Sequence, residues 1–172
     1  AAVELGTPVY LRLGKKNEPV VHEVRPPFTL GKGIVLRPGK DACLLAVGTI
    51  VPVALQAAAL LATQGVDAEV VSLHTVKPLD TGLLERVFST TRVVAVLEEH
   101  VAAGGAWSAV AEWLVQRDAA PSARLLRCGV EDSFFTEGGG QGWARQRLGL
   151  TPEKVAERVL RQACLGQEGS RS

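Results

Sequence analysis

Four short apolar runs, each of strand length, constrain this chain more than any other feature. They are "ACLLAVG" at 42–48, "DAEVVSL" ending at Leu73, "RVVAVLEEH" ending at His100 and "ARLLRCGV" ending at Val130. They are apolar throughout rather than alternating, which is the mark of strands covered on both faces. The intervening segments have helical spacing. In "VPVALQAAALLATQG" the residues Val51, Ala54, Leu55, Ala58, Leu61 and Ala62 recur on one face, and Gly65 closes the helix. "TGLLERVFST" is a shorter helix, and "GGAWSAVAEWLVQRD" places Trp107, Val110, Ala111 and Leu114 together. A last helix, "TPEKVAERVLRQA", has Thr151 to cap it, Pro152 in its first turn and Glu153 to complement its dipole. Strands alternating with helices predict an α/β fold, a parallel sheet between two helical layers.

The N-terminal part reads differently. "AAVEL" resembles the tail of a helix, "PVYLRL" at 8–13 suits a strand, and "GKKNEPVVHEVRPP" at 14–27 reads as a linker rich in Pro and charge. "GIVLRPGKD" then predicts a short strand with a turn at Pro38-Gly39. A helix tail needs a body to pack against, so the expectation is the end of a longer chain or one subunit of a split protein. The 172 residues suit one domain with appendages. Hydrophobic residues at 47% can form a core. Nineteen basic against 18 acidic residues, a net charge of +1, give no reason to expect nucleic acid or a membrane surface. No apolar run approaches the ~18 residues of a membrane span. Cys43, Cys128 and Cys164 are odd in number and far apart, which suggests buried, reduced thiols in a cytoplasmic protein, with no metal site.

Two strings hold the residues able to do chemistry. "SLHTVKPLD" ends a strand with His74, Lys77 and Asp80 within seven residues. Asp80 can cap the helix that begins at Thr81, leaving His74 and Lys77 as loop residues at the carboxyl edge of the sheet, where open α/β folds take ligands. Both a structural turn and a chemical site fit these residues. "LEEHVAAGG" ends another strand with Glu98, Glu99 and His100, followed by Gly104 and Gly105. A glutamate there can bond the free N–H groups of the next helix, and the glycines permit close backbone approach. Adjacent residues on a strand point to opposite faces, which argues against Glu98 and Glu99 acting as one acid–base pair. No phosphate-cradling or dinucleotide fingerprint occurs: "AVGTIVPVA" offers one glycine, and "EGGGQG" at 137–142 lies far from a suitable strand–helix junction. One functional reading of these strings is a stand-alone module holding a ligand or regulator between "HTVKPLD" and "EEHVAAGG" at the carboxyl edge. A large apolar surface on one side would instead fit a missing neighbour, with Trp107, Trp113 and Phe134 as candidate anchors.

Taken in order, "GTPVYLRLGK", "LGKGIVLRPGKDACLLAVGTIVPVAL", "VSLHTVKPLD", "VLEEHVAAGGAWSAVAEWL", "RCGVEDSFFTEG" and "LGLTPEKVAERV" resemble the C-terminal part of the thiamine-diphosphate-dependent transketolase superfamily. Transketolase C-terminal subunits and deoxyxylulose-phosphate synthase are similar by eye. The resemblance implies a three-layer α/β/α sandwich whose five-stranded, mostly parallel sheet has one antiparallel strand. It implies that residues 1–13 are the remnant of a pyrimidine-binding domain, 14–29 a linker, 30–165 the C-terminal domain and 166–172 a disordered tail. It also implies a structural role in domain and subunit association, with diphosphate- and pyrimidine-binding domains as partners and a homo-oligomer as the assembly. His74, Lys77, Asp80, Glu98, Glu99, His100, Gly104 and Gly105 would then lie at or near such a contact. The G-D-G…N-N motif that holds the diphosphate through a divalent metal is absent from the sequence. Thiamine diphosphate and magnesium are therefore expected in the assembled enzyme and not in this chain, and the isolated chain is expected to be inactive. Arg12 matches an arginine that pairs with substrate phosphate in relatives using sugar phosphates. Where deoxyxylulose-phosphate synthases carry R-Y-P-R-G, this chain has "RLGKK", with Lys15 at the second arginine.

Overall fold

The computed structural model describes residues 1–168 apart from 16, 102, 119 and 120. Before Ile34 it contains no helix or strand among the described residues. From there the elements are β1 (Ile34–Arg37), β2 (Ala42–Ala46), a 3-10 turn (Gly48–Ile50), α1 (Val51–Thr63), β3 (Ala68–Ser72) and α2 (Thr81–Thr90). They continue with β4 (Val93–Val101), α3 (Ala106–Val115), β5 (Arg124–Val130), α4 (Gln141–Arg147) and α5 (Pro152–Glu168). The sheet runs β1-β3-β2-β4-β5. β2, β3, β4 and β5 are parallel, and β1 lies antiparallel against β3 at the edge.

The period of two along each central strand sorts side chains into two cores. Ala42, Leu44 and Ala46 of β2 face α1 and α5, joined by Val70, Ala95 and Leu97 from the neighbouring strands. Cys43 and Leu45 face the other way, with Val71, Val94 and Val96, toward α2 and α3. All five residues of β2 are buried, so the apolar run reflects a strand with a helical layer on each side. Burying one such leucine contributes about 2–3 kcal/mol. Burial pushes the Cys43 thiol up and raises Cys128 to about 11, so both stay protonated.

α1 packs tightly because small residues line its inner face: Ala54, Ala57 and Ala58 are fully buried beside Leu61. Gly65 ends it at φ +75°, a backbone region most residues avoid. Gly65 N donates to Ala62 O at 3.1 Å and Val66 N to Leu61 O at 3.0 Å, and the half-buried Val66 packs back on the core. The buried face differs from the expected one in one respect. Ala62 is exposed, while Val53 and Ala57 are inside, because α5 covers α1 from a direction that spacing alone does not specify.

Several expectations are corrected. Residues 8–13 form no strand; Tyr10 is 89% exposed and Leu13 84%. An extended segment satisfies its backbone only against a neighbouring strand, and this one has none here. "AAVEL" forms a turn, with Ala1 O accepting from Glu4 N and Leu5 N. Of the candidate anchors for a neighbour, Trp107 and Trp113 are instead half-buried against the α2–α3 core, whereas Phe134 is 99% exposed. Cys164 is exposed on α5. Helix α4, not foreseen in the sequence, follows the glycine-dense stretch. The tail expected at 166–172 begins inside α5, which continues through Glu168; residues 169–172 lie outside the described residues.

Candidate functional site

In a doubly wound sheet a crevice opens where neighbouring strands send their connections in opposite directions. Here β2 leads through α1 to β3 on one side, while β4 leads through α3 to β5 on the other. The crevice therefore lies outside the carboxyl ends of β2 and β4. Thr49, in the turn after β2, and Glu99, near the end of β4, meet there.

The crevice is filled by the chain itself. Arg145 of α4 donates from Nε to Glu99 Oε1 at 2.7 Å and from Nη2 to the Thr49 carbonyl at 2.9 Å. Gln141 Nε2 reaches the same carboxylate at 3.3 Å, and the Thr49 hydroxyl donates to Glu99 Oε2. The Arg145 and Glu99 side chains are only 17% and 20% exposed. Burial alone would push Glu99 up, but the Arg145 and Thr49 hydrogen bonds and the guanidinium charge outweigh it and hold the carboxyl below its usual range.

Glu98 points the other way. Its carboxylate accepts from Ala106 N at 2.7 Å and Trp107 N at 2.9 Å, taking two of the N–H groups that α3 leaves open at its start. Gly105 lets the carboxylate in, since a Cβ there would lie 2.3 Å from Glu98 Oε2. The register of β4 against β5 shifts between Leu97 and Val101, as happens where a strand re-aims its side chains. The two glutamates thus serve opposite layers, as the strand geometry predicts. His100 is exposed, and its Nδ1 bonds only the adjacent Val101 carbonyl at 2.7 Å. Gly104, at φ +77°, begins the turn into α3, and its N–H donates to Ser108 Oγ.

The "HTVKPLD" loop follows β3. Asp80 caps α2 through Leu83 N at 3.1 Å, as expected, and also accepts from Lys32 Nζ and Gly33 N, each at 3.0 Å. Burial would raise its pKa, but the Leu83, Lys32 and Gly33 donors and the lysine charge hold it below the usual range. His74 Nδ1 meets Thr75 Oγ1 at 2.8 Å, its ring lies 4.4 Å from that of Phe28, and its Nε2 is buried without a partner among the described residues. Lys77 is exposed and precedes a cis proline, Pro78.

The two strings do not lie side by side. Strand β2 stands between β3 and β4, so "HTVKPLD" grips residues 28–33 while "EEHVAAGG" grips α3 and α4. A groove of about 620 Å³ lies between residues 21–27 and the β1 edge, and none of the candidate residues lines it. Arg12 and Lys15 are exposed and bond no described residue. Among the described residues no three His, Cys, Asp or Glu side chains converge on a possible metal position. Sequence reasoning missed Thr49, Gln141, Arg145, Lys32 and Phe28. Only the glycines before Gln141 hinted at a helix start there; nothing local marks the others, because their partners are 46 or more residues away, from Phe28–His74 to Thr49–Arg145.

The geometry agrees with known proteins. The profile of the transketolase C-terminal domain matches residues 31–155. A 1-deoxy-D-xylulose-5-phosphate synthase from Gloeobacter violaceus is 39% identical over 87% of this chain and 23% of its own length. The 6-deoxy-6-sulfo-D-fructose transketolase subunit SqwH from a Clostridium species is also 39% identical, over 86% of this chain and 45% of its own. The chain thus spans less than half the length of either relative. Among solved structures, a split-gene transketolase described as an inactive beta4 tetramer superposes with TM-score 0.84 at 36% identity, over 95% of this chain and 52% of that one. A transketolase from Pichia stipitis shares the fold at TM-score 0.59 and 22% identity, over 80% of this chain and 19% of its own. With its profile match and its three-layer architecture in agreement, this chain belongs to the transketolase C-terminal domain family.

Proposed function

We propose that this chain is the C-terminal domain of a transketolase-type, thiamine-diphosphate-dependent enzyme, and that its role is association with the other domains or subunits rather than chemistry. The assembled enzyme, a homo-oligomer working in the cytoplasm, transfers a two-carbon ketol unit between sugar phosphates. The cofactor supplies the carbanion chemistry and the protein supplies position and electrostatics. The single observation behind this reading is that the crevice where such a sheet would take a ligand is closed by Arg145, Glu99 and Thr49.

The donor set here does not suit a metal-bound diphosphate. The three candidate carboxylates at the carboxyl edge already accept protein hydrogen bonds: Asp80 from Lys32, Gly33 and Leu83, Glu98 from Ala106 and Trp107, and Glu99 from Thr49, Gln141 and Arg145. Magnesium would have to displace these donors. Glu99, His100, Gly104, Gly105, Lys77 and the "HTVKPLD" turn remain assigned to the domain contact. Arg12 and Lys15, exposed on the segment before β1 and without a partner among the described residues, are assigned to substrate phosphate in the assembled enzyme.

Calorimetric titration of this chain with thiamine diphosphate and magnesium tests the reading. No binding is expected. A dissociation constant below about 10 μM, or roughly −7 kcal/mol, would overturn it.

A further inference from the structure

The loop "HTVKPLD" has four contacts on one short stretch of the same chain. Phe28 lies against His74, with ring centroids 4.4 Å apart and planes tilted by 33°. Gly31 is buried so closely against Pro78 that a Cβ would come within 3.1 Å of its ring. Lys32 Nζ and Gly33 N bond the two oxygens of Asp80. Residues 28–33 thus form a strap that leads the preceding segment into β1. We propose that the loop is a pH-sensitive clasp for this strap, with His74 as the sensor: protonation of the imidazole loosens residues 28–33 from the sheet edge.

The geometry gives the reason. An imidazolium carries two N–H donors, and both need acceptors. Nδ1 has the Thr75 hydroxyl. Nε2 is shielded from water and has no hydrogen-bond partner among the described residues, and a buried donor left unsatisfied is costly. Burial accordingly holds His74 below its ordinary value, with the nearby Lys32 backbone only partly offsetting it. The charged groups around the contact do not reverse this. On the strap, Lys32 is bound to Asp80 of the loop, and Lys77, on the histidine's own loop, is exposed.

The sign follows. In the released strap His74 returns to about 6.5, so the open state binds more protons than the closed one. The clasp is at full strength above that value and weakens as pH falls, by up to about tenfold in the closing equilibrium per pH unit, until the closed form also protonates. Asp80 is held ionised across this range. The contacts of the clasp all lie within this chain, so it is tested on the chain without a partner.

NMR on the 172-residue chain between pH 5 and 8 tests it. The ring signals of His74 are assigned among the three histidines by their loss in His74→Gln. His74 should titrate below the ordinary histidine value. Hydrogen exchange at the Gly33 amide, which Asp80 binds, should speed up about threefold or more from pH 7.5 to 5.5 after correction for the intrinsic rate. His74→Gln should abolish that acceleration. Should His74→Gln fail to fold, Phe28→Ala decides the matter: it exposes the ring and should raise the His74 midpoint toward the ordinary histidine value. Gly33 protection that ignores pH, an acceleration that persists in His74→Gln, or a His74 midpoint at or above the ordinary histidine value or unmoved by Phe28→Ala would overturn the proposal.

Discussion

Glu99 shows how one carboxylate can close a crevice. It accepts from a hydroxyl in the turn after β2 and from an amide and a guanidinium one turn apart on α4. Its pKa is held low, so its contribution is complete above the ordinary glutamate value near 4.3 and is lost as pH falls through the depressed one. Glu99→Gln should therefore lower stability by about 1–3 kcal/mol at neutral pH. The gap to the parent chain should narrow below about pH 4. Urea unfolding followed at several pH values measures both. Glu69 is a contrasting residue. It sits 4% exposed inside an apolar strand and is matched by the Arg86 fork at 2.6 and 2.9 Å. The run "AEVVS" reads as a buried strand with or without it, and only the position of α2 explains why a charge is tolerated there.

At the scale of elements, the junction of β4 and α3 depends on Glu98 and Gly105 together. Gly105→Ala would push a Cβ into the carboxylate and break its bonds to Ala106 and Trp107. The expected cost is about 1–3 kcal/mol. The same substitution should cost much less in a Glu98→Ala background, and a double-mutant cycle by thermal unfolding reads the coupling. The cap at Asp80, the cap at Glu98 and the stop at Gly65 were legible beforehand because each is a local bargain between a side chain and a helix end. Helix α4 was not legible. It has seven residues, five of them Gln, Gly or Arg, and no buried position, so it carries no apolar period. It is held by Arg145 and by Trp143, whose ring packs against Phe135 with centroids 5.7 Å apart and planes inclined by 60°.

For the whole molecule, the 1–13 segment and the folded body are energetically separate. Val3, Tyr10 and Leu13 are each more than 80% exposed, and the ion pair of Ala1 is with nearby Glu4. Removing residues 1–13 should shift stability by less than about 0.5 kcal/mol, measured by thermal unfolding of the shortened chain. Among the described residues no helix is long and apolar enough to cross a membrane. The sequence by itself determined the alternation of strands and helices, the two-sided burial of the central strands and the local caps, because periodicity and capping act between residues a few positions apart. The antiparallel edge strand came from family resemblance rather than from pattern. Only the tertiary structure decided that β2 separates the two candidate strings, that Arg145 occupies the crevice between β2 and β4, and that Phe28 and Lys32 are drawn onto the "HTVKPLD" loop. These contacts join residues 46 to 96 positions apart, as in Phe28–His74 and Arg145–Thr49. Strand order sets them, and strand order is chosen by the packing of the whole sheet rather than by any one segment.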